Sequence, residues 1–437
     1  MRRPVWALYV LIPGLALHNF VMAELWELGV RGLALDVVSA WKEAVLLVAL
    51  ALVVRARRGL PFKATWCDWL ALAFAALVVL YALIPQSWLG GDASAKGVLF
   101  GARHDLLPVA AYFLGRGLAL TGDDLRRVSL TIVATACAVA GFGLVDVYAI
   151  PLQWWRDSGA PGWYREQLGL TYRGLSRLPE NFVYNTGDER PLRRLVSTFL
   201  SPLASSYLFV VALLVLAGAR RAAFASNRLF LGWVAAAALV LAGLLWTHTR
   251  SALLALAAGL VLLAWARRDI WALGAAIAVV AVGAAFVAVY PDIGPRTRFT
   301  PSELDVQRSQ AKEGSPAASG ATDASTESHW RSLRDGAETV AKHPWGYGLG
   351  NAGVTASRTN KEIKAGESTY TELGVDAGLL GALVFLAWSL VLVRRVLPPS
   401  AWIGASLAAA LVLGLQTDVI GVPWLAYVLW TLAGDQA

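Results

Sequence analysis

Apolar runs, each about as long as the hydrocarbon core of a bilayer requires of a helix (roughly 17–25 residues), alternate with short polar connections along most of this chain. They fall near residues 5–23, 38–54, 66–84, 98–118, 128–149, 199–218, 229–247, 251–266, 270–290, 370–392, 400–416 and 419–433. The pattern predicts an all-α polytopic membrane protein with about twelve spans, the last two interrupted by Asp418 and Pro423. Met1-Arg2-Arg3 precedes the first run, and no small-residue cleavage site follows Leu17 to Ala23, so that run reads as a retained span. Two polar stretches break the rhythm. The first, from about Pro151 to Val196, is rich in Trp, Tyr and Arg, as in Trp154-Trp155-Arg156 and Trp163-Tyr164-Arg165. The second, from about Pro291 to Thr369, begins with a low-complexity lead-in from Gly314. Trp330, Leu333, Ala337 and Val340 then recur at helical spacing and predict a short helix ending before Pro344. The segments are 1–150 (spans 1–5), 151–196 (loop), 197–290 (spans 6–9), 291–369 (large loop) and 370–437 (spans 10–12).

Charge gives the runs a direction. Basic clusters occur at Arg2-Arg3, Arg55/Arg57/Arg58/Lys63, Arg126-Arg127, Arg220-Arg221/Arg228, Arg267-Arg268 and Arg394-Arg395, in every second connection. Basic loops stay on the cytoplasmic side, so both termini are expected there and both long loops outside. Composition agrees: of 437 residues 57% are hydrophobic and only 16% charged, against about 25% in soluble domains. The net charge of +8 sits in these topogenic clusters, which argues against a nucleic-acid partner and for membrane lipids as surroundings. Cys67 and Cys137 both lie in apolar segments, where they read as small hydrophobes.

Three polar constellations map to the predicted outer side. Arg193 and Arg194 open the segment that enters a span at Pro202; arginines at a span end either snorkel to lipid headgroups or bind an anion. Trp246-Thr247-His248-Thr249-Arg250-Ser251 is a tight hairpin, where an arginine is costly without an anionic partner, while His248 reads equally as a hydrogen-bonded structural residue. The stretch from Glu327 to Gly381 holds the third. Gly346-Tyr347-Gly348-Leu349-Gly350 lacks the Lys-Ser/Thr of a phosphate-binding loop and reads as a shaping turn. His343 before Pro344 is a helix terminator or a base, with Trp330 and Tyr370 as further candidates. Glu367 lies at the mouth of a span, where partial desolvation is expected to raise its pKa toward a general base's range. Arg103 and Asp105 interrupt the run at 98–118, as an intramembrane ion pair or a contact to a lipid phosphate. The five histidines have no metal-ligand spacing, and no metal or other cofactor is expected.

These residues resemble the O-antigen ligase/polymerase superfamily of membrane glycosyltransferases. Arg194-Leu195-Val196-Ser197-Thr198-Phe199-Leu200-Ser201-Pro202 is similar to its Arg-x-x-(Gly/Ser)-Thr-Phe-x-Asn-Pro motif, and Thr249-Arg250-Ser251-Ala252 to its Ser-Arg-x-Ala segment. His343-Pro344 with Gly346, Gly348 and Gly350 resembles the family's His-Pro-x-x-Gly-x-Gly block. Glu367-Ser368, nine residues, and Gly378 to Gly381 fit the ligase pattern His-(Asn/Ser/Gln)-x9-Gly-x-x-Gly, with glutamate where the family has its catalytic histidine.

The resemblance implies a GT-C-like membrane fold in the bacterial inner membrane with a periplasmic active site. The donor would be an undecaprenyl-diphosphate-linked oligosaccharide, and the acceptor a second lipid-linked glycan (a Wzy-type polymerase) or lipid A–core or protein (a ligase). A chain-length regulator is an implied partner. Arg194 and Arg250, with Arg193 beside them, would bind the diphosphate, and Glu367 would take the acceptor proton in a metal-independent, inverting transfer. The departure at Glu367 tilts the reading toward a polymerase. A lipid-linked glycan transporter is the alternative from another class; its matched broken helices in repeated halves are not found in the sequence.

Overall fold

The computed structural model describes residues 4–57, 64–170, 178–184, 189–312 and 322–437. Arg2, Arg3, Arg58 and Lys63 of the basic clusters lie outside these residues, as does the low-complexity lead-in up to residue 321. The described chain is helical with a single two-stranded ladder. Each of the twelve expected spans contains a helix. Among the described residues, eight helices are long and apolar enough to cross a membrane: Trp6–Glu27, Trp66–Leu83, Gly122–Ala149, Pro202–Ala223, Asn227–Trp246, Arg250–Arg267, Ile270–Ile293 and Gly378–Val396. Leu33–Ser39 and Trp41–Ala56, bent by 42° at their junction, make a ninth if they are one span.

The other expected spans fall short for identifiable reasons. Ala95–Leu118 is 24 residues long but carries Lys96, Arg103, Asp105 and Arg116. Ala401–Leu413, at 13 residues, reaches only about 20 Å. A wide turn at Leu425–Leu429 leads into the short helix Trp430–Gln436. The run predicted at 370–392 is broken, because Thr369–Asp376 ends at Ala377 and Gly378 adopts φ +73° before the next helix starts.

Local chemistry sets the helix starts. Thr65 with Asp68, and Thr121 with Asp124, form reciprocal capping boxes; Ser201 and Ser226 accept from the backbone N–H three residues on, and Asp269 from that of Trp271. Arg220-Arg221, Arg267 and Arg394-Arg395 lie in last turns, where they complement the helix dipole at the end of the bundle away from the long loops. Between spans, close approach matters more than apolar area, because lipid is as apolar as leucine. Ala95–Leu118 meets Trp430–Gln436 through Gly115 and Gly434; a Cβ on either would sit about 2 Å from a carbonyl oxygen, of Thr431 or Tyr112. Phe74, Tyr112, Phe385, Trp388 and Trp430 fill the adjoining core.

At the loop end, Val183–Tyr184 pairs antiparallel with Leu192–Arg193. Gly346, Gly348 and Gly350 all take positive φ, letting the turn press on Gly97 and the Gln86–Asp92 segment, where Asn351 Nδ2 donates to Gln86 Oε1 at 2.9 Å. That turn shapes the loop, as its sequence suggested.

Candidate active site

The arginine hairpin is the rigid part of the site. Only Thr247, His248 and Thr249 connect Asn227–Trp246 to Arg250–Arg267, and His248 closes the turn with φ +50°. So short a turn leaves oxygens facing outward. Arg194 Nε donates to Thr247 O at 2.9 Å and Nη2 to Thr249 Oγ1 at 3.3 Å. Its backbone is pinned as well: Arg194 N donates to Phe182 O and Leu195 N to Trp246 O, both at 2.9 Å. Arg250 begins the next helix, adding its charge to that helix's positive end. The two arginines, 56 positions apart in sequence, are therefore built onto one turn.

Glu367 has an unexpected companion. Its Oε2 accepts from His329 Nδ1 at 2.8 Å, and both side chains are nearly half exposed, 46% and 43%. His329 arrives on Thr322–Lys342, which packs through Gly336 on Thr371 and through Val340 on Gly374. Arg194 and Arg250 both act electrostatically on His329, which links the hairpin to the pair. The expectation of a raised Glu367 pKa is corrected: the His329 hydrogen bond, outweighing partial burial, holds the carboxyl below its ordinary value. The same bond raises the His329 imidazole above its usual range against burial and the two arginines. With Nδ1 donating to a carboxylate, Nε2 is the ring's basic nitrogen.

A cavity of about 490 Å³ opens beside this cluster, with Glu367 at its lip. Asn19, Ser201, Glu372 and Asp418 offer polar groups along it, and Trp163, Tyr164, Tyr207 and Trp424 offer aromatic walls. It runs on into a second cavity of about 230 Å³, the two sharing His18, Asn19, Trp163, Arg358 and Asp418. Polar groups set among aromatic faces are the lining a saccharide requires, since its hydroxyls need partners and its C–H faces stack.

Residues 235–386 match a family model, that of the O-antigen ligases. This part of the chain is similar to an O-antigen ligase domain. The matched segment contains the hairpin with Arg250, the helix with His329, and Glu367; Arg194 lies outside it, toward the N-terminus. No curated protein matches the chain.

Inside and outside the matched segment, several expected site residues take other positions. Arg193 is corrected from diphosphate ligand to structural residue: it is 3% exposed, its Nη2 donates to Asp146 Oδ1 at 2.9 Å, and the same carboxylate accepts from Trp155 Nε1. His248 faces inward, stacked between Tyr184 and Tyr290 at 4.4 and 4.7 Å; burial, then Arg194 and Arg250, push its pKa down to about 3 and keep it neutral. His343 binds Leu89 O at 2.8 Å and stacks on Tyr347, away from Glu367. Tyr370 donates to Leu411 O at 2.8 Å, a packing role. Trp330 is 69% exposed, off the face that carries His329. Arg103 and Asp105 do not pair with each other: Arg103 Nε donates to Glu43 Oε1 at 2.9 Å, while Asp105 and Asp418 each bond His104 at 2.7 Å. Of the aromatic loop, Trp155 belongs to the core, whereas Trp163 and Tyr164 both pack and line the cavity. Among the described residues no group of three His, Cys, Asp or Glu side chains is placed to hold a metal ion.

The sequence reading missed His329, Glu372 and Asp418. His329 had a signal: with Leu333, Gly336 and Val340 it lies on a face at helical spacing that shares Leu333 and Val340 with the apolar stripe through Trp330.

Proposed function

We propose that the protein is a membrane glycosyltransferase that moves an oligosaccharide from undecaprenyl diphosphate to an acceptor hydroxyl, on the periplasmic side of a bacterial inner membrane. The observation that carries this reading is the His329–Glu367 pair, with Glu367 lining a polar, aromatic cavity and His329 in the field of Arg194 and Arg250. The ligase domain match supports the chemistry in its broad form, and the basic clusters at the opposite helix ends support the orientation.

In the mechanism, the acceptor oxygen attacks the anomeric carbon from the face opposite the diphosphate. The C1–O bond to phosphorus breaks, and its electron pair leaves with the diphosphate, so the anomeric configuration inverts. Arg194 and Arg250 neutralise the charge developing on that leaving group, a task suited to the guanidinium fork. The acceptor proton passes to His329 Nε2, and Glu367 fixes the tautomer and stabilises the imidazolium. This moves the base from Glu367 to its neighbour. A carboxylate held below its usual pKa is a poor proton acceptor at neutral pH, whereas an imidazole raised above 6.5 is well matched.

The leading acceptor is a second lipid-linked repeat unit, the polymerase reaction, favoured by glutamate at the position of the ligase histidine. The second reading, transfer to lipid A–core or protein, is favoured by His329, which restores an imidazole to that position in space. Incubation with purified undecaprenyl-diphosphate oligosaccharide, followed by mass analysis, separates them. Longer lipid-linked chains support the polymerase and glycosylated lipid A–core or peptide the ligase; intact donor under all conditions sinks both.

A further inference from the structure

The chamber has a second cationic end. Lys42, Arg103 and Arg358 reach it from three separate helices, all lining the smaller cavity. Lys42 is 4% exposed; its Nζ donates to Ser39 O at 2.6 Å and lies 3.2 Å from His18 Nε2. Glu43 serves two of the cations, bonding Arg103 and lying 3.7 Å from Lys42 Nζ. Arg358 is different. Its Nε donates to Leu168 O at 3.3 Å and its guanidinium covers the Phe100 ring at 4.6 Å, but among the described residues no carboxylate lies within ion-pair distance. The three cations repel one another electrostatically. The two carboxylates on the same wall are engaged: Asp418 bonds His104 at 2.7 Å, and Asp36 accepts from Gln167 at 2.8 Å.

Three mutually repelling cations, two sharing Glu43 and the third opposed only by the more distant Asp36, around a cavity walled partly by Phe100, Leu107 and Trp163, favour the entry of an anion. We propose that this end is a second anion subsite that takes the acceptor's phosphate or diphosphate, while Arg194 and Arg250 take the donor's. The inference rests on the transfer reaction proposed above. It adds that the cavity receives two anionic headgroups, one at each end, with the sugars meeting between them. Lys42 and Arg103 supply a charge field anchored by Glu43. Arg358, held by a neutral carbonyl and an aromatic face, turns its guanidinium to the ligand.

The test uses the full chain in detergent and farnesyl diphosphate, which carries the headgroup without the glycan. Equilibrium dialysis should find two equivalents bound. Arg358→Gln should abolish one and leave the other, the double variant Arg194→Ala/Arg250→Ala should remove the other, and Arg358→Lys should restore the first. One equivalent in the wild-type protein, or two retained in Arg358→Gln, overturns the proposal. Displacement of the Arg358-dependent equivalent as readily by inorganic pyrophosphate as by farnesyl diphosphate assigns it to a free anion and overturns the acceptor assignment. In the transfer assay, Arg358→Gln should raise the acceptor KM about tenfold with the donor KM unchanged. Because dialysis reads binding alone, two-site binding without turnover refutes the transferase and spares the subsite, and turnover with one site does the reverse.

Discussion

Arg193 and Arg194 are neighbours in sequence and belong to different regions of the molecule. Arg193 is sealed in the bundle, its charge matched by Asp146, which is wholly buried, and its surroundings completed by Trp155 and Tyr290. Arg194 lies on the hairpin turn, oriented by a threonine carbonyl and a threonine hydroxyl, and its field reaches the half-exposed His329. The first arrangement fixes the fold and has no access to substrate. The second spends packing on orientation and leaves the field open to a ligand. Residue type alone does not separate them; depth does.

The largest effect that would break this contrast is at the lip. His329→Ala and Glu367→Gln should each lower transfer by about 10²–10⁴-fold with donor binding retained. Near-normal turnover in either removes that residue from the mechanism. The wild-type rate should rise with pH through a value above 6.5, because the carboxylate holds the proton on His329 and only the free imidazole is a base. In Glu367→Gln that limb should move to lower pH. The attraction within the pair is complete only below the raised His329 value and above the lowered Glu367 value, and is lost as pH rises through the first or falls through the second. A rate flat from pH 5 to 8 would return the base to Glu367.

Next comes the sealed region. Arg193→Met leaves Asp146 buried without its cation and should cost about 3–5 kcal/mol in denaturant unfolding, whereas pairing it with Asp146→Leu should recover most of the loss. A double change costing the sum of the two single changes would show that the two charges are not coupled. A smaller effect is expected for Arg250→Ala or Arg194→Ala, weaker donor binding by roughly 10- to 100-fold, the worth of a charge-assisted contact of about 1.5–3 kcal/mol. Unaltered donor affinity would detach that arginine from the diphosphate. The smallest is Arg308→Ala: its pair with Glu189 is 62% and 68% exposed, and both turnover and thermal midpoint should stay within error.

Much of this arrangement was legible in the sequence. Hydrophobic periodicity located a helix in each expected span, and the two motif arginines do meet on one turn. What escaped depends on contacts between distant segments. Nothing local to Arg193 announces Asp146, 47 residues away, or marks that arginine as the sealed one. The partner of Glu367 stayed hidden for a related reason: the motif pointed to position 367, but a histidine from 38 residues upstream folds onto it. The stripe through Trp330 shares Leu333 and Val340 with the His329 face, but Trp330 itself turns outward. Desolvation at residue 367 was foreseen correctly, yet a single hydrogen bond outweighs it and reverses the direction of the pKa shift.

The turn of Thr247, His248 and Thr249 has a consequence for how such a chain can change over time. One residue added there would rotate the start of the following helix by about 100° and swing Arg250 away from Arg194. It would also displace the two oxygens on which Arg194 rests. Surface loops usually absorb insertions at little cost, so most connections in this molecule are free to drift in length. This one carries its information as a count of residues, and a lineage that altered the count would need a new way to bring its two arginines together.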